Sequence, residues 1–352
     1  MLAQIEYPEI LRPQDLDTYL VNGWFRMRQT IFTTNFLQFD QQFYSAIWLR
    51  VVLADYVPDK KYHTLKKLNK AFKTEIKRSP VGGSSIAHEL LYFEYRKSVS
   101  FDVSPSLKEL LLGNDPISRF NTYEVNIYDG VTLIAAGFFD LGATSAAGIS
   151  CIYHPAYKKY SLGKYLMYLK IEFCRQQQLQ FFYPGYVVPG CTPFDYKLEV
   201  GKSALEYLQL SSKQWVPYTT KETLANPLHQ MVEKLSLLQK HLTHNNLPHQ
   251  FLHYRFFEAN LHPNYYGYNL FDFPVFLNCF PIDQTSTYLV IIFDVSTASY
   301  HLLKCSTVIN IGFQLEGGTV FDADLLKVKT PVFTSSIPEE IVAYIDQFCN
   351  NK

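Results

Sequence analysis

Residues 122–142 read TYEVNIYDGVTLIAAGFFDLG, and residues 161–188 read SLGKYLMYLKIEFCRQQQLQFFYPGYVV. The first stretch alternates about Asp129-Gly130, a pair that favours a tight hairpin between two strands. Between the two stretches lies SAAGISCIYHPAY, which reads as a third strand closed by Pro155. In the second stretch Leu162, Tyr165, Leu166, Leu169 and Phe173 recur at helical spacing, with Ser161 at the N-cap position. QFFYPGYVV is then the strand that follows the helix. The order is strand, hairpin, strand, helix, strand, and it predicts an α+β core.

Working outward, residues 16–56 mix a short helix with strand-like pieces such as TIFTTNFLQF and AIWLRVVLADYVP. A basic stretch with a helical reading follows from Lys60 to Arg78 and ends at the loop SPVGGSS. Residues 86–99 again have a helical pattern. Pro217 and Pro227 bracket a polar strip that reads as a boundary. Beyond it come a helix from Pro227, an aromatic-rich stretch and the hairpin STYLVIIFDVSTASYHLLKC. Three parts are expected: an N-terminal α+β region at 1–85 with its basic helix, a core at 86–218, and a C-terminal α+β extension at 219–352.

Lys and Arg total 32, as do Asp and Glu, and this balance excludes a protein that coats nucleic acid indiscriminately. The charge is nonetheless uneven. Residues 60–78 carry eight bases against the single acid Glu75, whereas residues 251–352 carry ten acids against five bases. A basic patch on a neutral chain suits a limited contact with a polyanion. The six cysteines show no CxxC spacing, which points to thiols in a reducing compartment and to no zinc site. MLAQIEYPEI lacks a basic n-region and an apolar h-region, and YLVIIF is too short to span a bilayer. The expectation is a cytoplasmic protein with no membrane partner.

The strand and helix order resembles an N-acetyltransferase-like (GNAT) mixed sheet core, in which a splayed sheet admits an activated acyl donor beside a helix N-terminus. A more specific resemblance runs over roughly residues 10–218, to the arginyl-tRNA–protein transferases. It rests on an ordered series: Leu133-Ile134-Ala135, Asp140, Ser150, Tyr153, Pro155, Ser161-Leu162-Gly163 and Ile171. It continues through Tyr183, Gly185, Tyr186, Gly190, Cys191, Tyr196 and Lys197. Upstream, NGWFRMRQTIF and Leu49-Arg50-Val51 are similar to further family motifs. The resemblance implies transfer of an amino acid, arginine in most of the family, from charged tRNA to the α-amine of proteins beginning with Asp or Glu. Two departures stand out. The family's N-terminal cysteines, implicated in holding an iron–sulfur cluster or haem, have no counterpart before Cys151, so no such cofactor is expected. Pro193, Phe194 and Asp195 stand where the family tends to have lysine, methionine and a basic residue.

An aminoacyl ester is already activated, so the enzyme must position an amine, remove a proton and steady a brief oxyanion. The catalytic candidates are Asp140, Tyr186 and Tyr196. Asp140 is read as binding the charged amine or the aminoacyl side chain, or as a turn carboxylate at a strand end. Tyr186 and Tyr196 can hydrogen-bond the ester or ribose, stack on the terminal adenine, or pack in the core. Among substrate-binding candidates, Lys197 suits a phosphate or the acceptor's acidic side chain. Arg50 is a site arginine or a buried structural ion pair. Gly185 permits a bulge beside Tyr183, while Ser161 and Gly163 open a helix N-terminus that favours an anion. Lys66, Lys67, Lys70, Lys73 and Lys77 form the tRNA-binding candidate, with a solubilising surface as the alternative. An acyl-CoA-dependent N-acyltransferase and a non-catalytic binding module on the same fold are the competing readings. The CoA reading is weakened by the single glycine in Tyr160–Tyr165.

Overall fold

The computed structural model describes residues 2–39, 41–80, 82–100, 102–283, 287–312 and 318–350. The first third comprises β1 (Ala3–Glu6), α1 (Pro13–Val21), β2 (Phe25–Met27), β3 (Thr30–Thr34), β4 (Phe36–Phe39), β5 (Gln42–Ser45) and β6 (Ile47–Val52). Next come α2 (Lys60–Leu68), β7 (Lys73–Arg78), α3 (Ile86–Ser98) and α4 (Leu107–Leu112). The central run is β8 (Thr122–Asp129), β9 (Thr132–Leu141), β10 (Ser145–Tyr153), α5 (Leu162–Gln176), β11 (Phe181–Val187), β12 (Leu205–Gln209) and β13 (Gln214–Pro217). The rest is α6 (Pro227–His244), β14 (Gln250–Tyr254), β15 (Val275–Asp283), β16 (Thr287–Asp294), β17 (Ser299–Asn310), β18 (Val320–Phe321), β19 (Asp324–Ser335) and α7 (Pro338–Asn350). Helix starts follow local chemistry: Asp59, Ser85, Ser106 and Asn226 each accept a backbone N–H of the first turn.

Eight strands form the central sheet in the order β13-β12-β6-β11-β10-β9-β8-β7. Every neighbour pair is antiparallel except β10 and β11, the two strands joined through α5. Apolar residues of alternate parity fill both faces. Leu49, Val51, Ile127, Phe139 and Phe182 face α5 and α2, whereas Trp48, Phe138, Ala147 and Tyr183 face α1, α3 and the N-terminal strands. A second sheet, β18-β14-β15-β16-β17-β19, packs under α6 and α7 around its own core. Leu2 and Phe36 belong to that core, and Asp272 accepts the backbone N–H groups of Leu2 and Ala3. The C-terminal part is therefore fastened to the first strands of the chain.

The α+β reading holds, with three local corrections. β6 and β7 lie before residue 86 yet are strands of the central sheet, so the expected boundary at 85 cuts through that sheet. The basic stretch is not one helix: α2 stops at Leu68, Asn69 caps it, and Lys73–Arg78 is an edge strand paired with β8. Lys66, Lys70, Lys73 and Lys77 thus do not share a helical face. An edge strand studded with lysine resists pairing with other chains. Finally, Ser161 occupies the N-cap of α5 with φ 51° and makes no side-chain cap bond. Cys151, Cys174 and Cys305 are thiols, and the Cys349 side chain lies outside the described residues. Among the described residues, no helix is long and apolar enough to cross a membrane.

Candidate active site

β10 and β11 pair over only three residues, Ser145–Ala147 against Phe181–Tyr183. From there each strand follows its outer neighbour. β10 stays with β9 as far as Tyr153↔Ala135, after a register shift between Gly148 and Ser150. β11 stays with β6 as far as Val187↔Ile47, after a shift between Phe182 and Gly185. The two bulges turn the strands apart, and the sheet opens between them. Lys170 of α5 fixes the β10 side of this opening. Its amine is buried and donates to the carbonyls of Phe138 and Ser150, each at 2.9 Å, with Cys151 Sγ at 3.3 Å. Gly137 makes room for it, since a Cβ there would stand 2.8 Å from Lys170 Cε.

The chain leaving β11 returns as a 3-10 segment, Thr192–Leu198, and inserts Lys197 at the opening. Lys197 Nζ donates to the Tyr186 carbonyl at 2.8 Å and stands 5.1 and 5.2 Å from the ring centroids of Tyr186 and Phe194. Gly185 has φ +92°, a left-handed backbone, and a Cβ there would come within 3.5 Å of Lys197 Nζ. No ion pair reaches Lys197 among the described residues, so two of its three N–H donors remain for a ligand. Burial pushes its ammonium down to about 8, partly opposed by Cys151. A desolvated cation of this kind seeks an anion. Tyr196 lines the same opening; its hydroxyl is raised by burial and then by Cys151 and Tyr95. Tyr95 of α3, pushed up to about 12 mainly by burial, packs edge-on to Tyr153 at 5.6 Å. Tyr186 stacks on Phe194 at 5.6 Å and meets Trp48 edge-on at 5.0 Å.

Of the residues singled out in the sequence, the structure brings Gly185, Tyr186, Tyr196 and Lys197 together. Asp140 is elsewhere. It is fully buried, and its Oδ1 takes Arg26 Nη1 at 2.8 Å and Thr122 Oγ1 at 2.7 Å. Arg50 pairs with Glu206 at 2.7 Å and lies over the rings of Phe181 and Trp215. Tyr183 is buried among Phe25 and Trp215 in the face that packs on α1. Ser161 is exposed, and Gly163 faces the Tyr153 ring at the start of α5. The five lysines are all exposed, on α2, the turn after it and β7. Two open depressions of about 300 and 600 Å³ share Glu199 and Lys202, and neither is lined by Tyr186 or Lys197. Sequence reasoning missed Cys151 and Phe194 as neighbours of Lys197, and Tyr95 as a neighbour of Tyr196. It also missed Glu258, whose charge, after burial, raises the Tyr186 hydroxyl. No local signal marks Glu258, which lies beyond the stretch where the resemblance runs.

The sheet thus parts between its parallel strands, with α5 behind the gap and a desolvated cation in it. Residues 55–206 match the family described as arginine-tRNA-protein transferase, C terminus. An aspartate/glutamate leucyltransferase of Leptospira interrogans is 24% identical over 233 residues, covering 64% of this chain and 82% of that protein. A namesake from Vibrio cholerae is 24% identical over 193 residues, covering 54% and 79%. The solved structure of FemX overlays 58% of this chain and 69% of its own, at 7% identity and a TM-score of 0.36. Residues 55–206, less than half of the chain, are thus similar to the aminoacyl-tRNA–protein transferases.

Proposed function

We propose that this protein moves an amino acid from charged tRNA to the α-amine of acceptor proteins whose first residue is Asp or Glu. The observation that carries the reading is Lys197, an ammonium without a carboxylate partner among the described residues, held where the sheet parts. The acceptor's acidic side chain fits that cation, and the aromatic wall of Tyr186, Phe194 and Tyr196 suits an aminoacyl ester or the adenine that bears it. Arginine is the donor residue that the family description suggests. Leucine is favoured by the names of the relatives. The reaction in this reading takes place where charged tRNA is found, and the cytoplasm is the location proposed for it.

The test offers the full chain Arg-tRNA, Leu-tRNA and acetyl-CoA separately, each labelled, with peptides beginning with Asp, Glu or Gln. Label from one charged tRNA on the Asp and Glu peptides is the expected result, and the donor that works names the residue transferred. Label from acetyl-CoA alone would replace the reading with N-acyl transfer. Silence from every donor would leave a binding module.

The exposed lysines supply the tRNA contact in this reading. Charge reversal at Lys66 and Lys70 is expected to weaken tRNA binding and to flatten the plot of log affinity against log salt by about 1–2 units, since each phosphate contact contributes about 0.7–0.9. Filter binding between 50 and 200 mM salt measures it, and an unchanged slope would remove these lysines from the interface.

A further inference from the structure

We propose that Ser85, His88, Asn126 and Glu124 form a nucleophilic site, apart from the opening, in which Ser85 attacks and hydrolyses esters of small apolar acids. Asn126 and Glu124 lie on β8, two strands away from β10, and Ser85 and His88 begin α3. None of the four belongs to the opening, so the site stands whatever donor is used there.

The four side chains form one hydrogen-bonded line. Ser85 Oγ lies 2.9 Å from His88 Nδ1, and His88 Nε2 lies 2.9 Å from Asn126 Oδ1. Asn126 Nδ2 donates to Glu124 Oε1 at 2.9 Å. Both ends of the line fix its direction. At one end the Ser85 backbone N–H, which only donates, also reaches His88 Nδ1 at 3.3 Å. At the other end the Glu124 carboxylate only accepts, so Asn126 turns its NH2 to Glu124 and its carbonyl oxygen to His88. His88 Nε2 therefore carries the ring proton, and Nδ1 offers its lone pair to the Ser85 hydroxyl. The serine proton already rests against a base, and a third group orients that base.

Burial divides the line by role. His88, Asn126 and Glu124 are buried, and the imidazole packs edge-on against Phe138 at 5.4 Å, which holds the base in place. Ser85 is exposed. An N-cap serine needs only its oxygen, which here accepts the His88 backbone N–H at 3.4 Å. The buried Asn126 and Glu124 add nothing to that cap. They do serve an imidazolium: Glu124 Oε1 stands 4.0 Å from His88 Nε2, and Oε2 has no hydrogen-bond partner among the described residues. Lys77 of the edge strand also faces this carboxylate, at 3.8 Å from Oε1, and stands 3.5 Å from Glu75.

The surroundings of Ser85 suit an ester. Ile86 and Ala87 open α3 directly after it, and N–H groups at those positions have no intrahelical acceptor. They are donors for the oxygen of a tetrahedral intermediate. Ile86, Ala87 and Leu90 are exposed along one side of α3, an apolar strip for the acyl chain.

The ester carbon gains a bond to Ser85 Oγ as the hydroxyl proton passes to His88 Nδ1. The C–O bond to the alcohol then breaks, and that proton leaves on the alcohol oxygen. Water repeats both moves on the acyl-serine: it gives a proton to His88, and the acid departs as Ser85 takes that proton back. Ester and water become acid and alcohol, with no further reactant.

The test incubates the full chain with a fluorophosphonate probe and maps the label by mass spectrometry. A separate assay follows hydrolysis of p-nitrophenyl butyrate. Label on Ser85 in preference to the neighbouring Ser84 is expected, together with release of p-nitrophenol. Ser85→Asn keeps a capping oxygen without the nucleophile, so its unfolding midpoint should stay near that of the wild type. It should take no label in this peptide and hydrolyse the ester about 100-fold more slowly. His88→Gln should lower labelling of Ser85 by a similar factor; where that variant fails to fold, Ser85→Asn alone decides. No label on Ser85, label shared evenly with Ser84, or hydrolysis unchanged in Ser85→Asn would overturn the site and leave a helix cap.

Discussion

Replacing Lys197 with methionine is expected to lower kcat/KM for peptides beginning with Asp or Glu by about 100-fold. Losing one member of a desolvated charge pair costs about 2–5 kcal/mol, and each 1.4 kcal/mol is tenfold. Peptides beginning with Gln should lose far less, because they present no carboxylate. The pH profile adds a second signature. The Lys197 ammonium, pushed down to about 8, is charged below that pH and neutral above it. Activity on acidic acceptors should therefore decline above pH 8 in the wild type, and the variant should lack that decline. Stability moves the other way. A cation whose pKa is depressed in the folded chain binds its proton more weakly there than in the unfolded chain. Stability from this group therefore rises between about pH 8 and the usual lysine range, and is lost as pH falls through 8. Methionine removes this dependence while conserving length, so its unfolding midpoint at pH 7 should not fall. Equal losses on Asp and Gln peptides would show that Lys197 does not read the acceptor's acid.

Asp140→Ala should destabilise the fold by about 3–5 kcal/mol, the cost of leaving a buried partner charge uncompensated. Arg26 is that partner, and it is 4% exposed. Its guanidinium also donates to the carbonyls of Leu111 and Arg28 and lies 4.3 Å from the centroid of the Phe120 ring. One ion pair thus ties β2, α4, β8 and β9 together. Denaturant unfolding measures the loss. Asp140→Asn keeps the shape, should cost less, and should leave transfer within a few-fold of wild type at temperatures where it is folded. A variant with an unchanged midpoint and transfer down 100-fold would return Asp140 to the chemistry.

How much could be read from the sequence depended on whether the signal was local. The hairpin at Asp129-Gly130, the strand ending before Pro155 and the helix from Leu162 are all present, because turn chemistry and periodicity act over a few residues. A bulge was suggested by Gly185, whose positive φ sits at the register shift in β11, whereas the parting of the sheet was expected from the resemblance alone. The basic run failed for an instructive reason. Lysine serves helix surfaces and edge strands equally, and the break at Asn69 is set by the sheet that Lys73–Arg78 must join. Asp140 was misleading for a related reason: a carboxylate late in a strand looks the same whether it faces a ligand or Arg26, which is 114 residues away. Arg50 left both outcomes open, and Glu206 supplied the structural one.

The opening between β10 and β11 begins at a definite point, immediately beyond Ala147 and Tyr183. A gap between diverging strands tapers toward its last pair, so the girth it admits changes with depth. Gly148 sits at the narrow end, where a Cβ would lie 3.3 Å from Phe182 Cζ and 3.6 Å from the Tyr183 carbonyl. A slim group can reach that apex, while a bulky one must stop nearer the mouth, beside Lys197. In the proposed reading, the taper admits a thin group deeper than a thick one.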